Sequence, residues 1–550
     1  MEFNLIEKQW IPVLRRDGTS DWIAPYEVTK GFAENPVVSL NAPRPDFNGA
    51  LIQFLIGLVQ TVAAPQNGTE WRKKLAEPPT PEDLKEKFAT VRHAFELGGD
   101  GPRFMQDMNR SEGKEWDIAN LLLEYPGENT LKLDKDHFVK RGGISSLCPS
   151  CCATALFTLQ VNAPYGGVGH QSSLRGGGPL TTLVLGQKDI HDNLWATVWL
   201  NVLEKNYFES SCANENKTEI KDVFPWMAPT RTSQPHGGSE MTPEDVHPAQ
   251  MFWSTSRRIV LLPDETGFTD CDICGASNVK GISKYRANTF GFSYGGAWLH
   301  PLSPHRHVNG APFPVQAEPG GVTYRHWLGL VLPDAEKSVF PSQTVHRFQE
   351  VRSRSDESCR VWAFGYDMDP NRPTTTRCWY ESEMPLSYMQ DSIKGVYQDL
   401  LAGMIRGAKQ VSDNTRSAVK KAWFKRSGDL KGDMTFVDNS YWQGTEPAFY
   451  NALKSLKTAL ESGGDGLQAV NEWHSVLCDE ALKLFDHHAW NGPVEETDPK
   501  RVVIQRRDLQ NFNRGKKIKE LLGLPVEAKT TGKSAKKKEI KQQEQTELAF

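Results

Sequence analysis

The sequence has few cysteines, no long apolar run and little net charge, and each scarcity excludes a class of protein. Nine cysteines among 550 residues are too few for a disulfide-stapled extracellular scaffold. No stretch approaches the roughly 18 uncharged apolar residues of a membrane-spanning helix. The first eight residues include Glu2 and Glu7, where a secretion signal would carry basic residues. We therefore expect a protein of the reducing cytoplasm.

The balance of charge and the composition limit the function and the architecture. A net charge of −4 means that the surface as a whole does not attract polyanions, so any contact with nucleic acid must come from local basic patches. Sixteen Trp, 34 Pro and 45 Gly, without an internal period, indicate an irregular, loop-rich protein. The length suffices for two or more domains with a large core.

Two C-x-x-C pairs, Cys148 with Cys151 and Cys271 with Cys274, are the most specific signal in the sequence. Each pair places two thiolates on one side of a tight turn, and two such turns supply the four soft ligands of a tetrahedral zinc site. A closed four-sulfur site leaves no position for water, so we expect a structural zinc. Unrelated loops or a redox pair are the alternatives, but two pairs favour a metal. The other thiols are interpreted as ordinary ones: Cys152, Cys212, Cys359, Cys378 and Cys478.

The pattern of the chain changes near residue 385. Before it, β-like runs at 180–185 and 258–262 alternate with Gly/Pro loops and with an apolar helical stripe at 48–62. After it, amphipathic helical stripes follow one another with short connections. We therefore predict an α+β fold, with an irregular mixed α/β domain over 1–384, a four-helix bundle over 385–525 and a disordered basic tail over 526–550.

Two helices of the C-terminal region carry more detailed expectations. One is predicted to begin at Thr445, a capping residue, with Pro447 in its first turn, and to end at Gly463. The last helix is basic, and its cations are either contacts for a nucleic-acid strand or a solvated face: Arg501, Arg506, Arg507, Arg514, Lys516, Lys517 and Lys519.

A glycine-rich stretch at 162–179 begins soon after Cys151, and an aromatic and basic loop at 137–143 precedes it. Clustered glycines let backbone N–H groups approach a phosphate or the floor of a groove, although such loops are more often simple turns. The loop at 137–143 joins one Phe, two cations and two glycines, a mixture that suits base stacking and phosphate contact, or a solvated turn with one buried ring.

Several blocks of sequence, taken together and in order, resemble the large subunit (CasA family) of Cascade, the type I-E CRISPR surveillance complex. The resemblance covers residues 3 to about 386 and continues through the helical region. The blocks are Phe3-Asn4-Leu5-Ile6 with Trp10-Ile11-Pro12-Val13, Phe138-Val139 ahead of Leu147-Cys148-x-x-Cys151, Ala163-Pro164, Ser173-Leu174-Arg175-Gly176-Gly177, Cys271-x-x-Cys274, Trp298-x-His300-Pro301-x-Ser303-Pro304, Tyr366-Asp367-Met368-Asp369 and Trp379-Tyr380-Glu381.

The resemblance implies a subunit without catalytic activity that works beside a CRISPR RNA and the other Cascade subunits. Members of the family inspect double-stranded DNA for a protospacer-adjacent motif, mainly through the minor groove. They then promote R-loop formation, hold the displaced strand and recruit a helicase-nuclease. Their cysteine pairs hold zinc, in agreement with the spacing argument.

The same resemblance assigns roles to particular residues. A loop that docks on the RNA handle and on neighbouring subunits matches Phe138, Val139 and Lys140. The residues expected to read the motif are the glycine loop Tyr165, Gly166, Gly167, Val168 and Gly169, the strand end Arg286, Asn288 and Thr289, and the wedge hairpin Asp369, Pro370, Asn371 and Arg372. Asn371 stands where the family has a wedge glutamine, and no lysine occurs between 286 and 289, which suggests a shifted motif preference.

Two other functions fit parts of the sequence. A metalloenzyme would use His300, His305 and His307, but the prolines among them favour an irregular turn, and neither an H-E-x-x-H helix nor a G-x-S-x-G elbow is present. A zinc-containing scaffold that binds only protein partners is the second alternative.

Overall fold

The computed structural model describes residues 2–133, 141–167, 169–187, 191–210, 217–317, 320–352, 359–369, 372–386, 390–426, 428, 433–492 and 498–526. The chain forms two compact units, residues 1–388 and 389–550. Among the described residues, none of the helices combines the length and the apolar character needed to cross a membrane.

The first unit mixes short strands and helices. Its described strands are β1 (Ile11–Arg15), β2 (Ser20–Ile23), β3 (Val37–Leu40), β4 (Lys114–Asp117), β5 (Thr181–Leu185), β6 (Glu240–Met241), β7 (Arg258–Thr269), β8 (Val279–Asn288), β9 (Ser293–Tyr294), β10 (His305–Val308), β11 (Ala311–Pro314), β12 (Val339–Phe340), β13 (Arg360–Asp369) and β14 (Arg372–Pro385). Its described helices are α1 (Pro45–Val62), α2 (Gly68–Ala76), α3 (Pro81–Ala89), α4 (Glu128–Lys132), α5 (Pro149–Asn162), α6 (Leu194–Trp199), α7 (Lys205–Ser210), α8 (Ile220–Val223), α9 (Trp327–Leu330) and α10 (Gln343–Arg347).

The strands form several small sheets rather than one continuous sheet. Four of these sheets have three strands each, in the orders β2-β1-β3, β4-β8-β7, β14-β13-β5 and β11-β10-β12, with antiparallel pairing throughout. The remaining pair, β6 with β9, is parallel. The strands predicted at 180–185 and 258–262 are confirmed as β5 and the start of β7.

Helix α1 lies in the core of the first unit, and its sequence explains why. Pro45 occupies the first turn, where a missing N–H costs nothing, and nearly every later side chain is buried. Phe54 makes edge-to-face contacts with five other aromatic rings, namely Trp10, Phe95, Phe104, Phe157 and Trp253. Aromatic pairs of this geometry contribute stability beyond the area that they bury. Trp10, Trp226 and Trp253 therefore belong to one aromatic core, in which α1 packs against α5.

Helix α5 and the β7–β8 hairpin form a frame that is tied at both ends. At one end, Leu147 and Ile282 exchange two backbone hydrogen bonds just before α5 begins. At the other end, the side chain of Gln160 accepts a hydrogen bond from the Arg257 N–H at 2.9 Å and donates to its carbonyl at 2.8 Å. Both ends of α5 are thus fixed to the same hairpin, and each end carries one of the sites described below.

The second unit is helical in its described residues. Its helices are α11 (Asp391–Trp423), α12 (Thr435–Glu461), α13 (Leu467–His488), α14 (Pro499–Asn513) and α15 (Lys516–Leu521). Part of its core joins four of them through Val419, Val437, Phe485 and Leu509, all buried. The predicted α+β fold with a helical C-terminal region is confirmed. The tail predicted from 526 lies outside the described residues, apart from Val526 itself.

The prediction that a helix begins at Thr445 is wrong, because α12 begins at Thr435 and runs through Pro447. The earlier turns bury Val437, Tyr441 and Trp442, and this packing outweighs the cost of one lost hydrogen bond at the proline. The Thr445 hydroxyl, which was expected to cap a helix, instead donates to the Tyr441 carbonyl at 2.7 Å.

Arg501 is expected to stabilise the second unit rather than act as a free surface cation. Its guanidinium donates to the carbonyls of Ala422 and Trp423, the last residues of α11, at 3.0 and 3.1 Å. Replacing Arg501 by alanine should cost about 1–2 kcal/mol, because these carbonyls lose a charged donor. Hydrogen exchange at the end of α11 in the full-length chain measures the effect. Arg507→Ala is the control, since the exposed Arg507 pairs with its sequence neighbour Asp508. Equal protection of the α11 amides from exchange in both variants would contradict the role of Arg501.

Candidate metal centre and nucleic-acid interface

The four predicted cysteines meet in space. The sulfur atoms of Cys148, Cys151, Cys271 and Cys274 all lie within 4.8 Å of one another, and those of Cys148 and Cys274 are 3.7 Å apart. In the described part of the chain, this is the one group of metal-ligand side chains gathered so closely. Three of the four are buried and Cys274 is partly exposed, so the cluster is closed to bulk water on most sides.

The local sequence explains why each pair turns inward. Cys148 is the N-cap of α5, and its sulfur accepts a hydrogen bond from the Cys151 N–H at 3.4 Å. Pro149 follows in the first turn, as is typical of helix starts. The second pair lies between β7 and β8, where Gly275 has a φ of +71°, a conformation that favours glycine and lets the chain reverse after Cys274.

The donor set fits a soft, tetrahedral metal ion. Hydrogen bonds to the sulfur atoms of Cys148 and Cys271, together with burial, raise the pKa of Cys151 far above its ordinary value. Several thiolates cannot share this small space without a compensating cation. A bound divalent ion would supply that charge and release the thiol protons. The four cysteines are therefore the residues that would hold a metal.

Asp272, inside the second pair, ties it to the first, and sequence reasoning missed it. Its carboxylate accepts hydrogen bonds from the backbone N–H groups of Ser145 and Ser146 at 2.7 and 2.9 Å, and from the Ser145 hydroxyl. These residues come directly before Leu147 and Cys148. The only sequence signal for this contact is an acidic residue inside a C-x-x-C turn, which is too common to have singled it out.

Replacing Asp272 by alanine should weaken metal binding without removing a ligand. The two N–H groups lose their acceptor, so the first cysteine pair is no longer held in register with the second. Outer-shell partners of this kind typically change metal affinity by about 10- to 100-fold. Competition with a chromogenic chelator measures the change. Asp270→Ala is the neighbouring control, because the Asp270 carboxylate binds the Asn278 N–H within its own turn. Equal metal affinity in both variants would contradict the proposed role of Asp272.

The other end of the frame carries the predicted glycine loop. The Phe290 N–H, just beyond β8, donates to the Gly169 carbonyl at 2.6 Å, and a Cβ atom built on Gly169 would lie 2.7 Å from the Thr289 Cβ. Gly169 is therefore packed on the strand end. Gly167, with φ +81°, faces open space, and Tyr165 is 50% exposed. Val168 lies outside the described residues. The structure thus brings the glycine loop and the end of β8 together.

Arg286 and Asn288, the predicted substitutes for a groove-probing lysine, contact acidic residues. The guanidinium of Arg286 pairs with the Glu115 carboxylate at 2.8 Å, and the Asn288 amide donates to the Glu112 carboxylate at 3.3 Å. Both acids lie in or just before β4, the neighbour of β8. A contact with DNA would require these side chains to exchange their acidic partners. Their role as readers stays a prediction.

The predicted wedge is the end of the long β13–β14 hairpin. Asp369 and Arg372 are the last paired residues of the two strands. Pro370, Asn371 and the docking loop of Phe138, Val139 and Lys140 lie outside the described residues. The hairpin passes close to the glycine-rich stretch, because a Cβ on Gly178 would lie 2.5 Å from the Tyr366 carbonyl.

Arg257 lies under the glycine loop, and sequence reasoning missed it as well. Its guanidinium donates to the Pro164 carbonyl. A Cβ atom on Gly166 would lie 2.9 and 3.0 Å from its two terminal nitrogens, so the missing side chain of Gly166 makes room for this cation. Burial lowers the pKa of Arg257 to about 10. Two arginines at the head of a strand were the available signal, but the sequence does not say which one lies at the loop.

The three histidines of the enzyme alternative do not gather into a metal site. His300 is buried, and its Nδ1 accepts the Leu302 N–H at 3.1 Å. His305 and His307 lie side by side on β10 and pack on the ring of Phe340. Their roles are therefore local capping and packing.

The basic face of the last helices is partly neutralised. Arg506 forms two hydrogen bonds with the Asp486 carboxylate, at 2.7 and 2.8 Å, and Lys516 pairs with Glu520 at 3.3 Å. With Arg501 and Arg507 also engaged, Arg514, Lys517 and Lys519 remain the better candidates for a strand contact. This arrangement favours the interpretation as a solvated face.

These features define a class of protein in which a mixed α+β unit with a four-cysteine centre is followed by a helical unit. A family model for CRISPR-associated protein Cse1 matches residues 4–484, most of the chain. The chain belongs to the CRISPR-associated protein Cse1 family.

Solved structures share the fold over nearly the whole chain. Thermobifida fusca Cse1 has a TM-score of 0.68 at 16% identity, covering 96% of this chain and 99% of its own. CasA (Cse1) from Thermus thermophilus has a TM-score of 0.65 at 16% identity, with 93% and 100% covered. A chain of a structure described as a CRISPR RNA-guided surveillance complex has a TM-score of 0.65 at 17% identity, with 94% and 100% covered.

Proposed function

We propose that this chain is the large subunit of a type I-E CRISPR RNA-guided surveillance complex and that it has no catalytic activity of its own. Family membership over residues 4–484 supports the assignment to this kind of subunit. The observation that carries the functional proposal is the exposed glycine loop, which is backed by the end of β8 and mounted on a frame that the cysteine cluster ties.

The metal of the cysteine cluster is zinc, with a structural role. Four sulfur ligands in a closed site are typical of structural zinc, and no ligand position is left for a substrate. The cluster fixes the start of α5 and the tip of the β7–β8 hairpin, and it thereby orients the loop at the opposite end of the same helix.

The subunit recognises the protospacer-adjacent motif from the minor groove of double-stranded DNA. Gly167 can approach the groove floor because it is exposed and a Cβ atom there would meet none of the described residues within 4 Å, and a glycine presents only backbone to the bases. Arg286, Asn288 and Thr289 flank the loop, and the hairpin that ends in Asp369, Pro370, Asn371 and Arg372 enters beneath the motif. The minor groove distinguishes mainly A·T from G·C, so such a reader tolerates several motifs.

The division of labour follows from this limited readout. Pairing with the guide RNA supplies the sequence specificity. The protein selects sites that carry the motif and lowers the free-energy cost of separating the first base pair. The loop of Phe138, Val139 and Lys140 docks on the RNA handle and on neighbouring subunits. The helical unit, as a four-helix bundle, contacts the displaced strand, and the assembled surface recruits the helicase-nuclease.

Two experiments test the proposal. The tagged chain is purified from its native host, and the co-purifying proteins and RNA are identified by mass spectrometry and sequencing. The purified complex is then titrated with duplexes that carry or lack candidate motifs. Co-purification of a guide RNA with motif-dependent binding is the expected result. A complex that assembles but does not bind duplex DNA would favour the alternative function, a scaffold that binds only protein partners. Recovery of the chain alone would refute both functions.

A further inference from the structure

Among the described residues Arg257 has no carboxylate partner, whereas two nearby arginines each have one. Arg258, its neighbour in sequence, pairs with Asp107 at 2.6 Å in the interior, and Arg286 pairs with Glu115. Within the part of the chain that the structure describes, the Arg257 guanidinium forms no ion pair, and its one side-chain hydrogen bond goes to the neutral Pro164 carbonyl.

The position of Arg257 separates it from arginines that only support the core. Arg175 also lacks a carboxylate among the described residues, but its donors bind neutral oxygens in the interior, those of Gln53, Thr181 and Ser303. Arg257 instead lies directly beneath Gly166, which is exposed. A largely buried cation without a compensating charge is costly, and the cost falls when an anion arrives.

The surrounding residues hold Arg257 ready for such an anion. Its backbone is fixed on both sides by Gln160, a buried residue of α5, and its side chain is fixed by Pro164. Because Gly166 has no side chain, the guanidinium packs directly against the backbone of the exposed loop. A guanidinium donor in a preformed position suits the oxygens of a phosphodiester.

We propose that Arg257, beneath Gly166, binds a backbone phosphate of the DNA duplex beside the motif. This inference rests on the proposed function and adds to it a positioning contact that reads no bases. A phosphate contact fixes the register of the duplex and carries no sequence information. Arg257 therefore sets how the groove meets the loop, while the loop itself examines the base edges.

The test compares assembled complexes that carry wild-type protein, Arg257→Gln or Arg257→Lys. Dissociation constants for duplexes with and without the motif are measured between about 50 and 200 mM salt, since each phosphate contact contributes about 0.9 to the slope of log K against log salt. Arg257→Gln should lower this slope by about 0.9 and weaken both duplexes by the same factor, about three- to tenfold at low salt. Arg257→Lys should keep the slope, because the charge remains.

Arg92→Gln is the matched control, because it removes an exposed arginine that already pairs with Glu7 elsewhere in the unit. Melting curves report whether the glutamine variant folds, and Arg257→Met, which also removes the charge, tests the site if it does not. An unchanged slope, a lysine variant as weak as glutamine, or a loss confined to motif-bearing DNA would each overturn the phosphate contact. If Gly167→Leu still impairs duplex binding, the proposed function survives that failure, and if the complex ignores duplex DNA, both fail.

Discussion

Replacing Cys271 by serine is expected to abolish stoichiometric metal binding and to lower the free energy of unfolding by at least about 3 kcal/mol. The cluster joins the start of α5 to the β7–β8 hairpin, so metal binding and folding of this region are coupled. Loss of one thiolate leaves three ligands around an ion that prefers four. Elemental analysis of protein purified without chelator, followed by chemical denaturation, measures both effects.

Cys152→Ala is the control for the serine variant. Cys152 is fully buried and follows Cys151 directly, but its sulfur is not among the four that gather. The alanine variant should keep one equivalent of metal and lose only the small stability of a buried thiol. Absence of metal from wild-type protein, or equal metal content in Cys271→Ser, would refute the metal centre.

Replacing Gly167 by leucine is expected to weaken binding of a motif-bearing duplex by about tenfold or more, a discrimination of the size that a good base contact gives. A leucine side chain cannot share space with the edge of a base pair at the groove floor. Pre-opened DNA bypasses inspection, so its binding should change much less. A Cβ atom at Gly167 would meet none of the described residues within 4 Å, so the new side chain should displace no neighbouring group. Fluorescence titration of the complex with both substrates gives the comparison.

Leucine at Gly167 also strains the backbone, because φ is +81° there, and this effect needs a separate control. Gly18→Leu supplies it, since Gly18 has a φ of +86° and lies between β1 and β2, and a Cβ atom there would meet none of the described residues within 4 Å. Similar melting temperatures with different duplex affinities would assign the loss to the groove. Equal losses on duplex and pre-opened DNA would mean that the loop is structural.

Gly169 is a poorer site for the same experiment. Its missing Cβ leaves room for the side chain of Thr289, and its carbonyl is held by Phe290. A bulky residue there would move the end of β8 as well as the loop. Any loss of duplex binding could then come either from the displaced strand end or from a clash with the DNA. The open position of Gly167 avoids this ambiguity.

Sequence reasoning succeeded where the chemistry constrains spacing. Two C-x-x-C turns imply a four-sulfur cluster because few other arrangements use such pairs, and the cysteines do meet. The apolar stripe at 48–62 predicted α1 for a similar reason, because the helical spacing of apolar residues is visible in the sequence alone. The order of several blocks together predicted the family, although no block alone would have done so.

Sequence reasoning failed where three-dimensional neighbours decide. Nothing near Thr445 reveals that upstream residues bury enough surface to carry α12 through a proline. The partners of Asp272 and Arg257 lie far away in the chain. Neither the hydrogen bonds of Asp272 to the first cysteine pair nor the lack of a carboxylate near Arg257 among the described residues therefore has a local sequence signal. Likewise, the acidic partners of Arg286 and Asn288 are set by the pairing of β4 with β8.

The wide spacing of the cysteine pairs has a consequence for biosynthesis. Cys148 and Cys274 are 126 positions apart, so at about 5–20 residues per second the ribosome delivers the second pair roughly 6–25 seconds after the first. Closing a loop of this length costs roughly 4 kcal/mol of chain entropy, which the unfinished chain cannot recover. The early thiols must therefore stay reduced until the β7–β8 hairpin emerges, and metal capture has to wait until about half of the chain has been made.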